Sequence, residues 1–426
     1  MCRKIMEHKI KMRISLIALV FILHMLPFSH TKSIVKHLPG FSGVLPFTLE
    51  TGYVGVGEEE QVQLFYYFVE SQRNPHKDPL LLYLTGGPGT SAFLPFFYQI
   101  GPLKFEYTNA SRSDVKLEVN PFSWTKTASI IFIDLPVETG FSYAKRLEPS
   151  KKNSDSLAVT HAYEFIRKWL MDHPTFLDNP LYITGISYMG LIIPRVVSNI
   201  YDGIERGVRP ELKIKGFLIV NPHTDKFIDF NARTEFAHRA GLIEDELYEP
   251  AKEHCGGKYI YVDPNNTLCL DSLRPIKECL DRVNVNYILD PLCNRQDPNQ
   301  TCRESIYSYS GIWANKKSVR KALNIREGTV DKFQISNANI SSLFGRPDTI
   351  YYSHDIFSSL AYYKKLVTKK CHALIIKYEK TYSEAKFSLK YATIKGAGHA
   401  IALYKPEESM VIVETWLASH TNSLKP

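Results

Sequence analysis

One stretch constrains this chain more than any other. The apolar run Leu181-Tyr182-Ile183-Thr184 leads straight into Gly185-Ile186-Ser187-Tyr188-Met189-Gly190, and an amphipathic run follows from Leu191 to Tyr201. Strand, sharp turn and helix in that order push a serine hydroxyl out at the carboxyl end of a parallel sheet. The glycines permit the turn, and the helix N-terminus offers N–H groups to a developing negative charge. Gly-x-Ser-x-x-Gly by itself is not specific, so its meaning rests on what surrounds it.

The surroundings read as α/β. Apolar runs typical of buried strands lie at Leu80–Leu84, Ser129–Asp134, Leu181–Ile183, Phe217–Val220, Ala373–Ile376 and Tyr391–Lys395. Between several of them the period becomes helical, as over Ser156–Met171, where Ala162, Phe165, Ile166 and Leu170 share a face. The expectation is a mostly parallel central sheet flanked by helices. Leu64–Val69, following the Gly-rich Thr51–Gly57, suits an antiparallel hairpin at the sheet edge. Residues 223–323 lose the strand pattern and read as an inserted helical cap, which divides the core into 34–222 and 324–426.

Residues 1–33 read as a secretory signal: a basic start from Arg3 to Arg13, an apolar run from Ile14 to Leu26, then Ser29–Ser33. The apolar run is short for a membrane span, so no stable anchor is expected after cleavage. These residues carry six basic side chains and one acid, so their removal lowers the formal net charge from +8 to +3. No basic cluster with interleaved aromatics remains, which argues against a nucleic-acid partner. Five of the six remaining cysteines fall between Cys255 and Cys302, as in a crosslinked insertion of a secreted protein. No Cys-x-x-Cys pair points to a metal. Asn109, Asn265, Asn299 and Asn339 begin glycosylation sequons.

A nucleophile needs a base and an oxyanion site. Gly396-Ala397-Gly398-His399 follows the last strand-like run and would carry an imidazole over the sheet. Gly86-Gly87-Pro88-Gly89 follows the Leu80–Leu84 run. It would place the Gly87 N–H beside that of Tyr188.

The motifs together resemble the serine carboxypeptidase family. Gly86-Gly87-Pro88-Gly89, Gly101-Pro102-Leu103 and Asn120-Pro121-Phe122-Ser123-Trp124 carry the resemblance first. It continues through Asp134-Leu135-Pro136-Val137-Glu138-Thr139-Gly140-Phe141-Ser142-Tyr143, the Ser187 motif, Lys395–His399 and Tyr404-Lys405-Pro406-Glu407-Glu408. The likeness is nearest to the plant carboxypeptidase-like branch, which includes acyltransferases. It implies an α/β-hydrolase fold, a secreted or vacuolar location, Ser-Asp-His chemistry without a cofactor, and a peptide or small acyl-ester substrate.

The same resemblance locates departures. The family's aspartate follows a strand that here is Ala373–Ile376, yet the chain runs on into Lys377-Tyr378-Glu379. Judged by motif spacing, roughly 40 residues are missing. Only 14 residues separate Ile376 from Tyr391, enough for a short link or hairpin, so a strained or rearranged sheet edge is expected beside His399. Glu379 and Asp355 are the acids weighed as replacements. Positions that in the family grip a terminal carboxylate are Thr85, Gln99 and Ile186, so that grip is weakened. A family disulfide is replaced by Thr90 and Ser336. The likeness favours Cys255–Cys269 as a disulfide, then Cys293–Cys302. The resulting expectation is a secreted Ser187/His399 acyl enzyme impaired by the missing aspartate. The alternatives are a non-catalytic secretory scaffold or a truncated splice or gene product.

Overall fold

In the computed structural model the described residues are 32–106, 115–146, 153–293, 306–340, 352–376, 382–384 and 387–421. Nearly all of residues 1–33, together with Asn109, Asn299, Cys302 and Glu379, lie outside them. The described strands are β1 (Lys32–Ile34), β2 (Leu49–Val56), β3 (Val62–Val69), β4 (Leu80–Leu84), β5 (Leu103–Glu106), β6 (Lys116–Val119), β7 (Ser129–Ile133), β8 (Tyr143–Ala144), β9 (Asn153–Ser154), β10 (Leu181–Ile186), β11 (Ile214–Val220), β12 (Tyr352–Ser353), β13 (His372–Ile376), β14 (Tyr382–Glu384) and β15 (Phe387–Ala392). The helices are α1 (Phe93–Tyr98), α2 (Asp155–Asp172), α3 (Met189–Glu205), α4 (Lys226–Arg239), α5 (Asp245–Cys255), α6 (Thr267–Leu280), α7 (Ser308–Ala314), α8 (Lys317–Ala322), α9 (Leu360–Val367), α10 (Ile401–Tyr404) and α11 (Pro406–Thr421).

Eleven strands form one sheet in the order β1-β2-β3-β7-β4-β10-β11-β13-β15-β14, with β8 paired to β3. The six strands from β7 to β15 run parallel. The β2–β3 hairpin is antiparallel and lies toward one edge, as expected from the apolar run after the Gly-rich stretch, with only β1 outside it. Successive side chains of the central strands enter different cores. Tyr83, Tyr182, Leu218 and Leu374 pack on one face; Leu82, Ile183, Phe217 and Ala373 pack on the other. Burial on both faces explains why these strands read as unbroken apolar runs.

Helix α2 starts where the Ser154 hydroxyl accepts the Leu157 N–H, and it returns the chain to β10. Between β11 and β12 the described residues hold helices and no strand. Helices α4–α6 keep a small core of their own around Tyr248, Ala251 and Ile276, fastened by the Cys255–Cys269 disulfide. Trp313, Ala314, Val319 and Leu323 pack instead into the main core.

The last parallel strand departs from the expected placement. It spans Phe387–Ala392 rather than Tyr391–Lys395, because its pairing with β13 begins at Ser388 opposite His372. The short connection is met by a hairpin: β14 lies antiparallel outside β15, while β15 keeps five successive parallel pairs with β13.

Candidate active site

The Ser187 turn is shaped by close packing. Ser187 sits at φ 62°, a left-handed conformation that non-glycine residues rarely adopt. Its N–H donates to the Val220 carbonyl at 2.9 Å, and its carbonyl accepts the Gly190 and His223 N–H groups at 3.0 and 2.8 Å. A Cβ on Gly185 would lie 2.5 Å from the Leu84 oxygen, and one on Gly190 would lie 2.4 Å from the His223 oxygen. Both motif glycines are therefore demanded by neighbouring backbone.

The Gly86–Gly89 turn lies against this elbow. A Cβ on Gly86 would be 2.8 Å from the Ser187 Cβ and 3.3 Å from the Tyr188 nitrogen. Beneath the turn Asp134 is fully buried. It accepts the Ser91 hydroxyl at 2.6 Å and the N–H groups of Ala92 and Phe141, each at 2.8 Å. Burial pushes this carboxyl up to about 6, against the pull of those three donors.

Thr90 and Ser336 form an isolated antiparallel bridge. The Ser91 N–H donates to Ile335 at 2.8 Å and the Asn337 N–H to Gly89 at 2.9 Å. Thr90 and Ser336 thus face each other as a non-hydrogen-bonded pair.

Ser187, His399, Gly87, Thr85, Gln99 and Ile186 all line one cleft of about 1200 Å³. It lies at the carboxyl ends of β4, β10 and β15, the place where open parallel sheets bind ligands. Tyr188 is the exception. Its ring points behind the elbow, where its hydroxyl donates to the buried Asp155 at 2.8 Å, leaving its backbone beside Ser187. Tyr352 and the Ile356 N–H also donate to Asp155. Burial raises the Asp155 carboxyl, and Lys226 with its Nζ 4.0 Å away opposes that rise. The Thr85 hydroxyl is buried without a hydrogen-bond partner among the described residues. Asp355 stands apart from the imidazole role considered for it, accepting the Ser156 N–H at the start of α2.

The loop carrying His399 is held from two sides. The His399 N–H donates to the Asn286 carbonyl at 2.7 Å, and Asn221 Nδ2 donates to the His399 carbonyl at 2.8 Å. Neither asparagine stands out in the sequence; only the placement of Asn221-Pro222 directly after a strand offered a signal. Cys293 is disulfide-bonded and lines the cleft. Asn265 and Asn339 are exposed. No group of three or more metal-ligating side chains occurs among the described residues.

A parallel sheet with a left-handed serine at a strand–helix turn defines the α/β-hydrolase class. The described structure is similar to the prohormone-processing carboxypeptidase KEX1(delta)p of Saccharomyces cerevisiae, with a TM-score of 0.69 at 16% identity over 91% of this chain and 95% of that one. The family profile for serine carboxypeptidase matches residues 39–379. "Serine carboxypeptidase-like 17" of Arabidopsis thaliana is 39% identical over 91% of this chain and 93% of its own length. "Serine carboxypeptidase-like 2" of the same plant is 39% identical over 94% and 96%. The chain belongs to the serine carboxypeptidase family. The second alignment spans 442 residues, more than the 426 of this chain, so that relative has residues without a counterpart here.

Proposed function

We propose that this chain carries out acyl chemistry with Ser187 as nucleophile and His399 as proton shuttle. The Ser187 oxygen attacks an ester or amide carbonyl while His399 takes the hydroxyl proton. The N–H groups of Gly87 and Tyr188 receive the oxyanion. As the tetrahedral intermediate collapses, His399 returns the proton to the departing alcohol or amine. Water then releases the acyl group as an acid, or an alcohol or amine accepts it. The observation that carries this reading is the left-handed Ser187 in one cleft with His399.

Around the serine the recognising groups are uncharged. Thr85 offers an unengaged hydroxyl, Gln99 an amide and Ile186 only hydrocarbon. That set suits a neutral acyl-ester substrate better than a peptide's terminal carboxylate. Turnover is weak in this reading, because β13 ends at Ile376 and the sequence goes on through Lys377-Tyr378 without an aspartate. In serine proteases that loss costs about 10⁴-fold in kcat while leaving a residual rate. Labelling with a fluorophosphonate tests the proposal: slow labelling of the native chain, absent in Ser187→Ala, is expected. Equal labelling of both, or of neither, overturns it.

The end of the profile match at residue 379, ahead of His399, favours a second reading as a non-catalytic scaffold, although the pairwise likeness to the plant relatives runs on past it. A scaffold melts cooperatively yet stays unlabelled, whereas a truncated gene product fails to melt cooperatively. We also assign the chain to the secretory route, secreted or vacuolar, with glycans on Asn265 and Asn339 and a Cys293–Cys302 disulfide. An endoglycosidase shift of the expressed chain checks the route.

A further inference from the structure

We infer that Asn221 is a positioning residue that sets His399 relative to Ser187 through the histidine's main chain. The inference rests on the acyl-enzyme reading above.

Asn221 is the first residue after β11 and adopts φ 43°, a left-handed conformation that asparagine tolerates better than most side chains. Its N–H donates to the Ile376 carbonyl at 2.9 Å, tying it to the end of β13. Its side-chain amide reaches the His399 carbonyl at 2.8 Å. The preceding residue and the one two further on engage the nucleophile: the Val220 carbonyl accepts the Ser187 N–H, and the His223 N–H donates to the Ser187 carbonyl. Three of the four residues from Val220 to His223 thus bond the elbow, the terminus of β13 and the histidine loop.

The opposite side of that loop is held by the turn segment that follows α6. The Asn286 carbonyl accepts the His399 N–H, and the Tyr287 hydroxyl donates to the Gly396 carbonyl at 3.2 Å. The Tyr287 ring packs on Tyr404 with centroids 4.5 Å apart. A Cβ on Gly398 would stand 2.5 Å from the Tyr404 ring and 2.9 Å from the Asn286 oxygen. Both polar main-chain groups of His399 are consequently fixed by different layers of the molecule. Of the two, only Asn221 acts through its side chain.

Misplacing a catalytic group by about 1 Å costs about 100-fold in rate. Asn221→Gly keeps the left-handed backbone and deletes only the amide. It is expected to lower the fluorophosphonate inactivation rate constant about 10- to 100-fold, leaving KI and cooperative melting unchanged. Asn221→Asp presents a carboxylate to the His399 carbonyl at neutral pH, and a donor once protonated. Its labelling rate relative to the native chain is expected to recover as pH falls from 7 toward about 4, the ordinary range of an aspartate. A native chain without Ser187-dependent labelling overturns the acyl-enzyme reading itself. A labelling native chain with Asn221→Gly at the native rate overturns the positioning role. If the glycine variant does not fold, the near-isosteric Asn221→Asp decides, and a pH-independent ratio overturns the inference.

Discussion

The two arms that meet in the cleft are built to different tolerances. Ser187 stands on β10, which is paired along its length with β4 and β11, and the glycines around it have no spare room. His399 follows β15, which has β13 on one side and only the three-residue β14 on the other. Near its start the histidine loop is open: the closest atom to a Cβ on Gly396 is the Lys405 Cε, at 3.7 Å. A short connection suffices at such an edge, because a single parallel register with β13 delivers the strand. A deletion beside β10 would disturb two registers and the elbow together.

The largest effect expected from breaking this contrast is catalytic. Grafting between Ile376 and Lys377 the aspartate-bearing segment that the family resemblance places there is expected to raise labelling and turnover by up to about 10⁴-fold. An unchanged rate would show that the histidine arm has no need of it. Next comes packing at the elbow. Gly190→Ala drives a Cβ into the His223 oxygen and Pro222, and is expected to cost about 3 kcal/mol in chemical denaturation.

A crosslink sharpens the contrast from the stable side. Thr90→Cys with Ser336→Cys joins a non-hydrogen-bonded antiparallel pair, and the oxidised protein is expected to gain about 2–4 kcal/mol, read as a higher Tm. The nucleophile arm also holds the pH response. With the Asp134 carboxyl raised to about 6, the folded chain binds a proton that the unfolded chain has released. The contribution of Asp134 to stability is therefore fullest below about 4, the ordinary range of an aspartate, and is lost as pH rises through about 6. The effect is on the order of 3 kcal/mol, and Asp134→Asn should flatten that part of a denaturation series. The smallest effect belongs to the open loop. Gly396→Ala, at φ 70° but without a steric clash, should cost only about 1 kcal/mol.

Sequence pattern located the central strands to within a few residues, because strands covered on both faces carry their burial in every position. It misplaced β15, where Ser388 and Lys390 dilute the apolar signal of an edge strand and Tyr391 to Ile394 shifts its apparent centre. Ser187, Gly87 and His399 stood out because they sit in local glycine-rich motifs, and the structure brings all three to one cleft. Asn221 and Asn286 were not, since their work is done across long stretches of chain, and in Asn286 by a carbonyl that any residue would supply. Asp155 was equally silent: nothing next to it in sequence announces that two tyrosines and a lysine will converge on it.

The seam between residues 89–91 and 335–337 is closed by peptide groups and contains no sulfur. A reductant strong enough to open Cys255–Cys269 has nothing to sever there. Thiol treatment should therefore loosen helices α5 and α6 and release the disulfide-bonded Cys293 at the cleft wall, while the sulfur-free seam keeps its hydrogen bonds.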